Sequence, residues 1–341
     1  MDGKHALRIP KSMLPQAADE TKNFLADYFA GFQINSVCEE DDWLVELVRE
    51  NFTYCEDFSL GKTPLHIIPS EYNTFQFSSN NQCICLSEAW IPYVWSKYIT
   101  INRHQEKLTI IHVDDHADLM SPFIIWDNDK QFDMLTKRPI SWTDPQSVKY
   151  AVQSGAITIG SMLTPIVMTA NQVNVLHLKQ NVQTVYKVLK KVTIDEGLLY
   201  PGAQRIAIER DEPYKKSHQN LYLKTSEYGM LKDYILPGST VILHVDMDYF
   251  NNRYNGSTSW KIDGQSFDPP FDEQVSEMKK LGVLIGEVNS VTPVSCVYIG
   301  LSPSFYPVEF WKTGLSCLLD ILSENSIDVS YIKDIFDKQF G

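Results

Sequence analysis

Two stretches of this 341-residue chain share one design, and it constrains the fold more than any other feature. Ile110-Ile111-His112-Val113 runs into Asp114-Asp115-His116-Ala117-Asp118, and Ile242-Leu243-His244-Val245 runs into Asp246-Met247-Asp248. A short, uninterrupted, β-branched apolar run reads as a strand buried on both faces, as in parallel sheets covered by helices. Acids at the carboxyl end of such a strand stand where open parallel sheets bind ligands. Residues two apart on a strand point the same way. Asp114 and His116 therefore converge, Asp118 follows on the turn, and Asp246 and Asp248 face them.

Apolar runs at 108–113, 173–178, 205–208, 240–245 and 295–299 read as strands, with helices at 146–153 and 273–284 between them. This alternation predicts a three-layer α/β/α sandwich with a mainly parallel sheet. The first hundred residues have another texture. Apolar residues recur at three- and four-residue steps over 21–32 and 41–52, and 88–99 is aromatic-rich with Pro92 in its first turns, so helices are expected there. No repeat, low-complexity run or Gly/Ser linker marks a boundary. The expected organisation is one domain over 1–341, with a helical N-terminal extension (1–105) and a sheet-bearing catalytic core (106–325).

Hydrophobic residues make up 43% of the chain, enough for a sizeable core and too many for a disordered one. With 30 Lys and Arg against 43 Asp and Glu the net charge is −13, which argues against nucleic acid or an anionic membrane as partner and suits a cationic ligand or a metal. No run approaches the ~18–20 apolar residues of a membrane span, and the first residues lack the apolar stretch of a signal peptide. Cys38, Cys55, Cys83, Cys85, Cys296 and Cys317 are scattered, and Cys83-Ile84-Cys85 lacks the two-residue spacer of zinc and redox motifs. Reduced thiols in a cytoplasmic protein are expected.

Four carboxylates and an imidazole cannot share a pocket unless something neutralises their repulsion, which a divalent metal does directly. Two metals need bridging carboxylates, and this set can supply them. Oxygen donors with one histidine suit Mn²⁺ better than a thiolate-type zinc site. His112 and His244, two residues before the acids, are expected deeper along their strands as hydrogen-bonded core histidines.

Asp114-Asp115-His116-Ala117-Asp118 resembles the Asp-Ala-His-x-Asp motif of the arginase (ureohydrolase) superfamily, and Asp246-Met247-Asp248 its Asp-x-Asp motif. The surrounding words HVDDHADLM and HVDMDYFNN, with the segments 159–165 and 301–307, are similar to a divergent branch that includes the peptide arginases. Those enzymes turn arginine side chains of ribosomally made peptides into ornithine. The resemblance implies an arginase/deacetylase-like fold, two Mn²⁺ per chain and an arginine-containing precursor peptide as partner. It implies Asp114 and Asp246 as metal-bridging carboxylates, Asp118 completing one metal's shell, His116 with Asp248 completing the other's, and Asp118 and His116 as the catalytic residues.

The chain departs from the superfamily at two places. Arginases take a further histidine from a loop upstream of the first motif, whereas residues 85–92 here contain none. Glu88 either replaces it or is an acid favoured in a helix first turn. Free-arginine enzymes hold the guanidinium with a glutamate after the last strand, where this chain has Gly300-Leu301-Ser302-Pro303. Asp115, Ser302 and Glu309 are the candidates for substrate contact. Two other readings stay open: a deacetylase-like zinc amidohydrolase, and a non-catalytic arginase-like module that binds peptide or metal.

Overall fold

A computed structural model describes residues 4–49, 74–102, 106–127, 130–215, 219–253, 268–303 and 305–340. Cys55, Ser304 and the end of the helix expected over 41–52 lie outside the described residues. The chain opens with β1 (Lys4–Pro10), α1 (Ala18–Tyr28), β2 (Phe32–Cys38) and β3 (Asp42–Arg49). Next come β4 (Gln76–Ser78), β5 (Gln82–Cys85), a 3-10 turn (Glu88–Trp90), α2 (Ile91–Asn102) and β6 (Lys107–Val113). Then follow β7 (Ile124–Asp127), β8 (Lys130–Asp133), β9 (Pro139–Ile140), α3 (Pro145–Ser154) and α4 (Leu163–Met168). The later strands are β10 (Gln172–Leu178), β11 (Val185–Val188), β12 (Lys190–Glu196), β13 (Ala203–Glu209), β14 (Leu221–Thr225) and β15 (Thr240–Asp246). The last elements are α5 (Phe271–Val291), β16 (Val294–Gly300), α6 (Trp311–Glu324) and α7 (Ser330–Phe340).

The architecture is α/β, built on a mixed eight-stranded sheet of order β11-β14-β10-β6-β15-β16-β5-β4. The six inner strands run parallel, and the edge strands β11 and β4 pair antiparallel. The central strands alternate their side chains between two cores. Leu108, Ile110, Val175 and Ile242 pack with Trp95, Val148 and Ile166 of α2, α3 and α4. Ile111, Val113, Leu176 and Leu243 pack with Leu281, Leu315 and Ile332 of α5, α6 and α7. With both faces covered, the carboxyl ends of β6 and β15 are where polar residues of these strands can gather.

The expectation of a single mainly parallel sheet is corrected by two further sheets, both antiparallel. One is β1-β3-β2 and the other is β12-β13-β7-β8-β9. The strand expected over 205–208 is β13, which pairs antiparallel with β12 and β7 and lies outside the large sheet. The expected helical N-terminal extension is likewise half strand. Residues 41–52 were read as helical because Trp43, Leu44, Leu47 and Val48 fit a helical step, yet Trp43, Val45, Leu47 and Arg49 alternate inward along β3. A run apolar at nearly every position satisfies both periods, and pairing with β1 and β2 on either side decides. The expected helices at 21–32, 88–99, 146–153 and 273–284 are present within shifted bounds. Among the described residues no helix is long and apolar enough to cross a membrane.

Arg205 of β13 ties the five-stranded sheet to the loop that follows Asp118. Its Nε donates to the Pro122 carbonyl (2.8 Å) and Nη2 to that of Ser121 (2.7 Å). The guanidinium lies 4.3 Å from the Phe123 ring centroid and 3.9 Å from Glu196. Arg205→Met should therefore remove both hydrogen bonds, leave the Ser121 carbonyl without this donor and take away the charge beside buried Glu196, costing about 2 kcal/mol. Urea unfolding checks this, and a loss under about 0.5 kcal/mol, the range of an ordinary surface change, would contradict the stapling role.

Candidate metal centre

Parallel pairing in register sets the centre. Val113 of β6 lies opposite Val245 of β15, so Asp114 and Asp246 leave the sheet side by side, about 4.8 Å apart by strand spacing. Asp246 caps the 3-10 turn Met247–Tyr249, its Oδ1 accepting from Asp248 N at 2.9 Å, and this turns Asp248 back toward β6. Asp114 Oδ1 accepts from His116 N at 2.5 Å. His116 Nδ1 then stands 3.0 Å from Asp248 Oδ2 and 3.6 Å from Asp114 Oδ1. Asp118 adopts a left-handed φ of 49°, which aims its carboxylate inward, and its carbonyl accepts from Leu163 N at 3.0 Å.

Glu88 is buried, as a metal ligand would be and a merely favourable first-turn acid need not be. It groups with Asp114 and Asp118; Asp114, His116 and Asp248 form a second group, and His112, Asp114 and His244 a third. Within each group one ligand atom per residue lies within 4.8 Å of the others. Room for Glu88 comes from Gly300, the partner of Asp246 and Cys85 in the ladders. A Cβ at Gly300 would fall 2.2 Å from Glu88 Oε1. The glycine standing after the last strand is thus what lets the upstream acid reach the centre.

Beneath the acids runs a row of histidines from three adjacent strands. His177, His112 and His244 are mutual ladder partners. His112 Nε2 meets the His116 carbonyl at 2.9 Å and so carries the proton, leaving Nδ1 to accept from His244 Nδ1 at 2.8 Å. His244 Nε2 meets Glu88 Oε1 at 2.7 Å. His177 donates from Nε2 to the Asp114 carbonyl (2.9 Å) and accepts from the Tyr222 hydroxyl (2.7 Å). All six ring nitrogens are engaged, so His112 and His244 are the hydrogen-bonded core histidines expected, although with Asp114 they also stand close enough together to hold an ion. His177 was not singled out from sequence, although VNVLHL repeats the strand-histidine pattern of the two motifs.

The candidate substrate residues already have partners. Asp115 gives Oδ1 to Lys179 (2.6 Å) and Oδ2 to Asn252 (2.8 Å). Glu309 pairs with Arg253 at 2.6 Å. Ser302, at a left-handed φ of 47°, donates to Asp246 Oδ2 at 2.9 Å and so orients that carboxylate. Both Asp246 oxygens are hydrogen-bonded, and the Glu88 carboxyl stands beside them.

Burial, then the crowding of neighbouring carboxylates, pushes Asp114 and Asp246 well above the ordinary carboxylate range, and burial with the charge of Asp118 does the same to Glu88. Burial lifts Asp118 to about 6, the adjacent histidines partly offsetting it. Burial works against a charged His116, but the hydrogen bond to Asp248 and the surrounding carboxylates win and raise it to about 9. Burial pushes His244 down to about 4 and His177 to about 3. Asp114 Oδ2 and Asp118 Oδ2 are buried without a hydrogen-bond partner, and Asp248 Oδ2 faces His116. Inward-facing orphan carboxylate oxygens beside one partly exposed imidazole are a donor set that fits a hard divalent cation. The chain matches no protein-family model and no curated protein.

The charge balance gives a pH test. Groups whose folded pKa is raised bind more protons in the fold, so stability falls as pH rises from their unfolded pKa through the folded one. For His116 that window runs from about 6.5 to about 9, and the raised carboxylates act in the same sense. The core histidines oppose this only as pH falls below their unfolded value. Metal-free protein should therefore melt lower at pH 8.5 than at pH 7, and Mn²⁺ should raise Tm more at the higher pH because it replaces protons. An equal Mn²⁺ response at both pH values, or none, would remove the metal assignment. Gly300→Ala should shrink that response by displacing Glu88, and a full response in a folded Gly300→Ala protein would remove Glu88 from the ligand set.

Proposed function

We propose that the chain is a Mn²⁺-dependent guanidino hydrolase that converts arginine side chains of a peptide to ornithine, releasing urea, in the cytoplasm. The observation that carries this reading is the convergence of buried Glu88, Asp114, Asp118 and Asp248 with the partly exposed His116 at the ends of β6 and β15, where the Asp114 and Asp118 Oδ2 atoms lack partners. Asp114, His116, Asp118 and Asp248 occupy the motif positions that resemble the arginase superfamily, and Glu88 stands in the upstream region where that superfamily has a histidine. Helices packed against both faces of a sheet with six parallel inner strands support an arginase-like three-layer arrangement.

Asp114, Asp118, His116, Asp248 and Glu88 would hold the metal, with Asp246 joining them as the resemblance implies. Bound Mn²⁺ would neutralise the carboxylates and bring a water's pKa toward neutrality. The chain's own groups do the rest. Asp118, fixed in its left-handed turn, holds the attacking water's orientation through its free Oδ2. The water oxygen forms a bond to the guanidino carbon as its proton passes to Asp118, the bond from carbon to the arginine chain nitrogen breaks, and this nitrogen leaves as the ornithine amine with that proton. His116 is partly exposed, and as a ligand beside Asp248 it would be neutral, its extra proton displaced when the ion binds. Ser302 and the His112–His244 row hold Asp246 and Glu88 in place throughout.

The group Asp114, His116 and Asp248 alone would hold a single ion, and this observation favours the zinc amidohydrolase as a second reading. Metal analysis separates the two: two manganese per chain against one zinc. Mass spectrometry of arginine peptides incubated with protein and Mn²⁺ tests the chemistry, each conversion removing CH2N2. Asp246→Asn should lower metal affinity by about 10–100-fold and abolish turnover, and full activity with unchanged metal content would sink the assignment. Peptidyl arginine should show a higher kcat/KM than free arginine, because the chain offers no motif for an α-ammonium and α-carboxylate together. Preference for the free amino acid would overturn the substrate form.

A further inference from the structure

Beside the acids lies a cleft of opposite character. The charged residues lining a cavity of about 550 Å³ are the cations Lys179, Lys187, Arg210 and Lys224 and the acids Asp115, Glu209 and Asp211, with His177 among them. Strand register makes it: Lys224 of β14 is the ladder partner of His177 and of Val185, and Lys187 of β11 is the partner of Tyr222, so these side chains share one sheet face. Arg210 lies 4.7 Å from the Tyr222 ring centroid. Lys179 is neutralised by Asp115. Lys187 Nζ donates to the Asp211 carbonyl at 3.0 Å and not to a carboxylate. Among the described residues no acid is within ion-pair distance of Lys187, Arg210 or Lys224. Both Glu209 and Asp211 are exposed, and Glu209 is the ladder partner of Lys190 in the β12–β13 pair.

We infer that this cleft is an anion subsite that receives a carboxylate of the same peptide whose arginine enters the acidic centre. The inference rests on the hydrolase reading and names its substrate class: arginine peptides with a carboxylate close to the arginine. Asp115 and Ala117 alternate in sequence with Asp114, His116 and Asp118, so the two subsites share a wall. A segment carrying one cation and one anion matches both. An anion alone is opposed by a chain of net charge −13, so the three unpaired cations act locally and in combination with the bound arginine. The carboxylate belongs either to an acidic side chain beside the arginine or to a free C-terminus, and the cleft's chemistry is the same for both.

The test is fluorescence anisotropy with full-length protein treated with a chelator, so that binding is read without turnover. Three labelled arginine peptides are compared: one with Asp flanking the arginine and blocked ends, the same with Asn, and the Asn peptide with a free C-terminal carboxylate. At least one carboxylate peptide should bind about tenfold tighter than the blocked Asn peptide, and which one does so identifies the source. Lys224→Gln and Lys187→Gln should each remove most of that difference, whereas Lys279→Gln on α5 should leave it. Equal affinity for all three peptides, or a difference that survives in both variants, overturns the inference. A wild type that makes no urea yet keeps the binding difference overturns the hydrolase reading and leaves the subsite standing.

Discussion

Repulsion among carboxylates that the fold forces out of water is the constraint on which the rest of this structure depends. Two unit charges 4 Å apart repel by about 4 kcal/mol even at an effective dielectric of 20, and Asp114, Asp246, Asp248, Glu88 and Asp118 are all buried around one point. The layer beneath cannot relieve them, because every ring nitrogen of His177, His112 and His244 is committed to a hydrogen bond. Lys179, the nearest exit from β10, is spent on Asp115. Relief must come from protons held above their ordinary range, from His116, or from a divalent cation. The fold thus builds a site whose energy falls when a cation arrives.

Holding that arrangement is the work of the parts that look peripheral. Asp118 keeps a left-handed backbone because its loop is fastened along its length. Its carbonyl takes Leu163 N, Met120 N bonds the Gly160 carbonyl, and Phe123 N bonds the Ala156 carbonyl. Arg205 adds two bonds from the five-stranded sheet. The N-terminal sheet supports the same region from the far side. His5 meets the Ser154 carbonyl at 2.6 Å, and Gly155, at a φ of 85°, brings the chain so close to Phe32 that a Cβ would lie 2.7 Å from its ring. Backbone strain at a site persists where its surroundings over-determine it, and here three sheets do so.

What was legible in the sequence follows from how local each signal is. The two strand-acid motifs carry their own period and their own terminating polar residues, so the strands, their shared end and the converging Asp and His residues could be read directly. The segment 159–165, noticed only for its likeness to a family branch, turned out to buttress Asp118 through Leu163 and the Gly160 carbonyl. Misreadings arose where the deciding interaction is distant in sequence. Residues 41–52 fit a helix and a strand equally until β1 and β2 pair with β3. Strand 205–208 has nothing in its own residues to say which sheet it joins. Gly300 read as a missing substrate ligand, whereas its lack of a side chain is what admits Glu88 from more than two hundred positions upstream.

The same parallel register explains why a strongly acidic chain can carry a cation-lined cleft against its most acidic point. Moving across the sheet along one row, Tyr298, His244, His112, His177 and Lys224 are successive partners, so the side chains change from aromatic through neutral imidazole to ammonium over five strands. The carboxylates project from the strand ends above the middle of that row, and the lysines from its β14 and β11 side. Neutral histidines between them keep the two charge sets from collapsing into ion pairs: the buried imidazoles of His177 and His244 stay uncharged at neutral pH because burial depresses their proton affinity. Only Asp115 and Lys179, at the boundary, meet directly. Separation of opposite charge by a neutral, hydrogen-bonded layer costs stability in the free protein, and a ligand bearing both charges at matching spacing recovers it on binding.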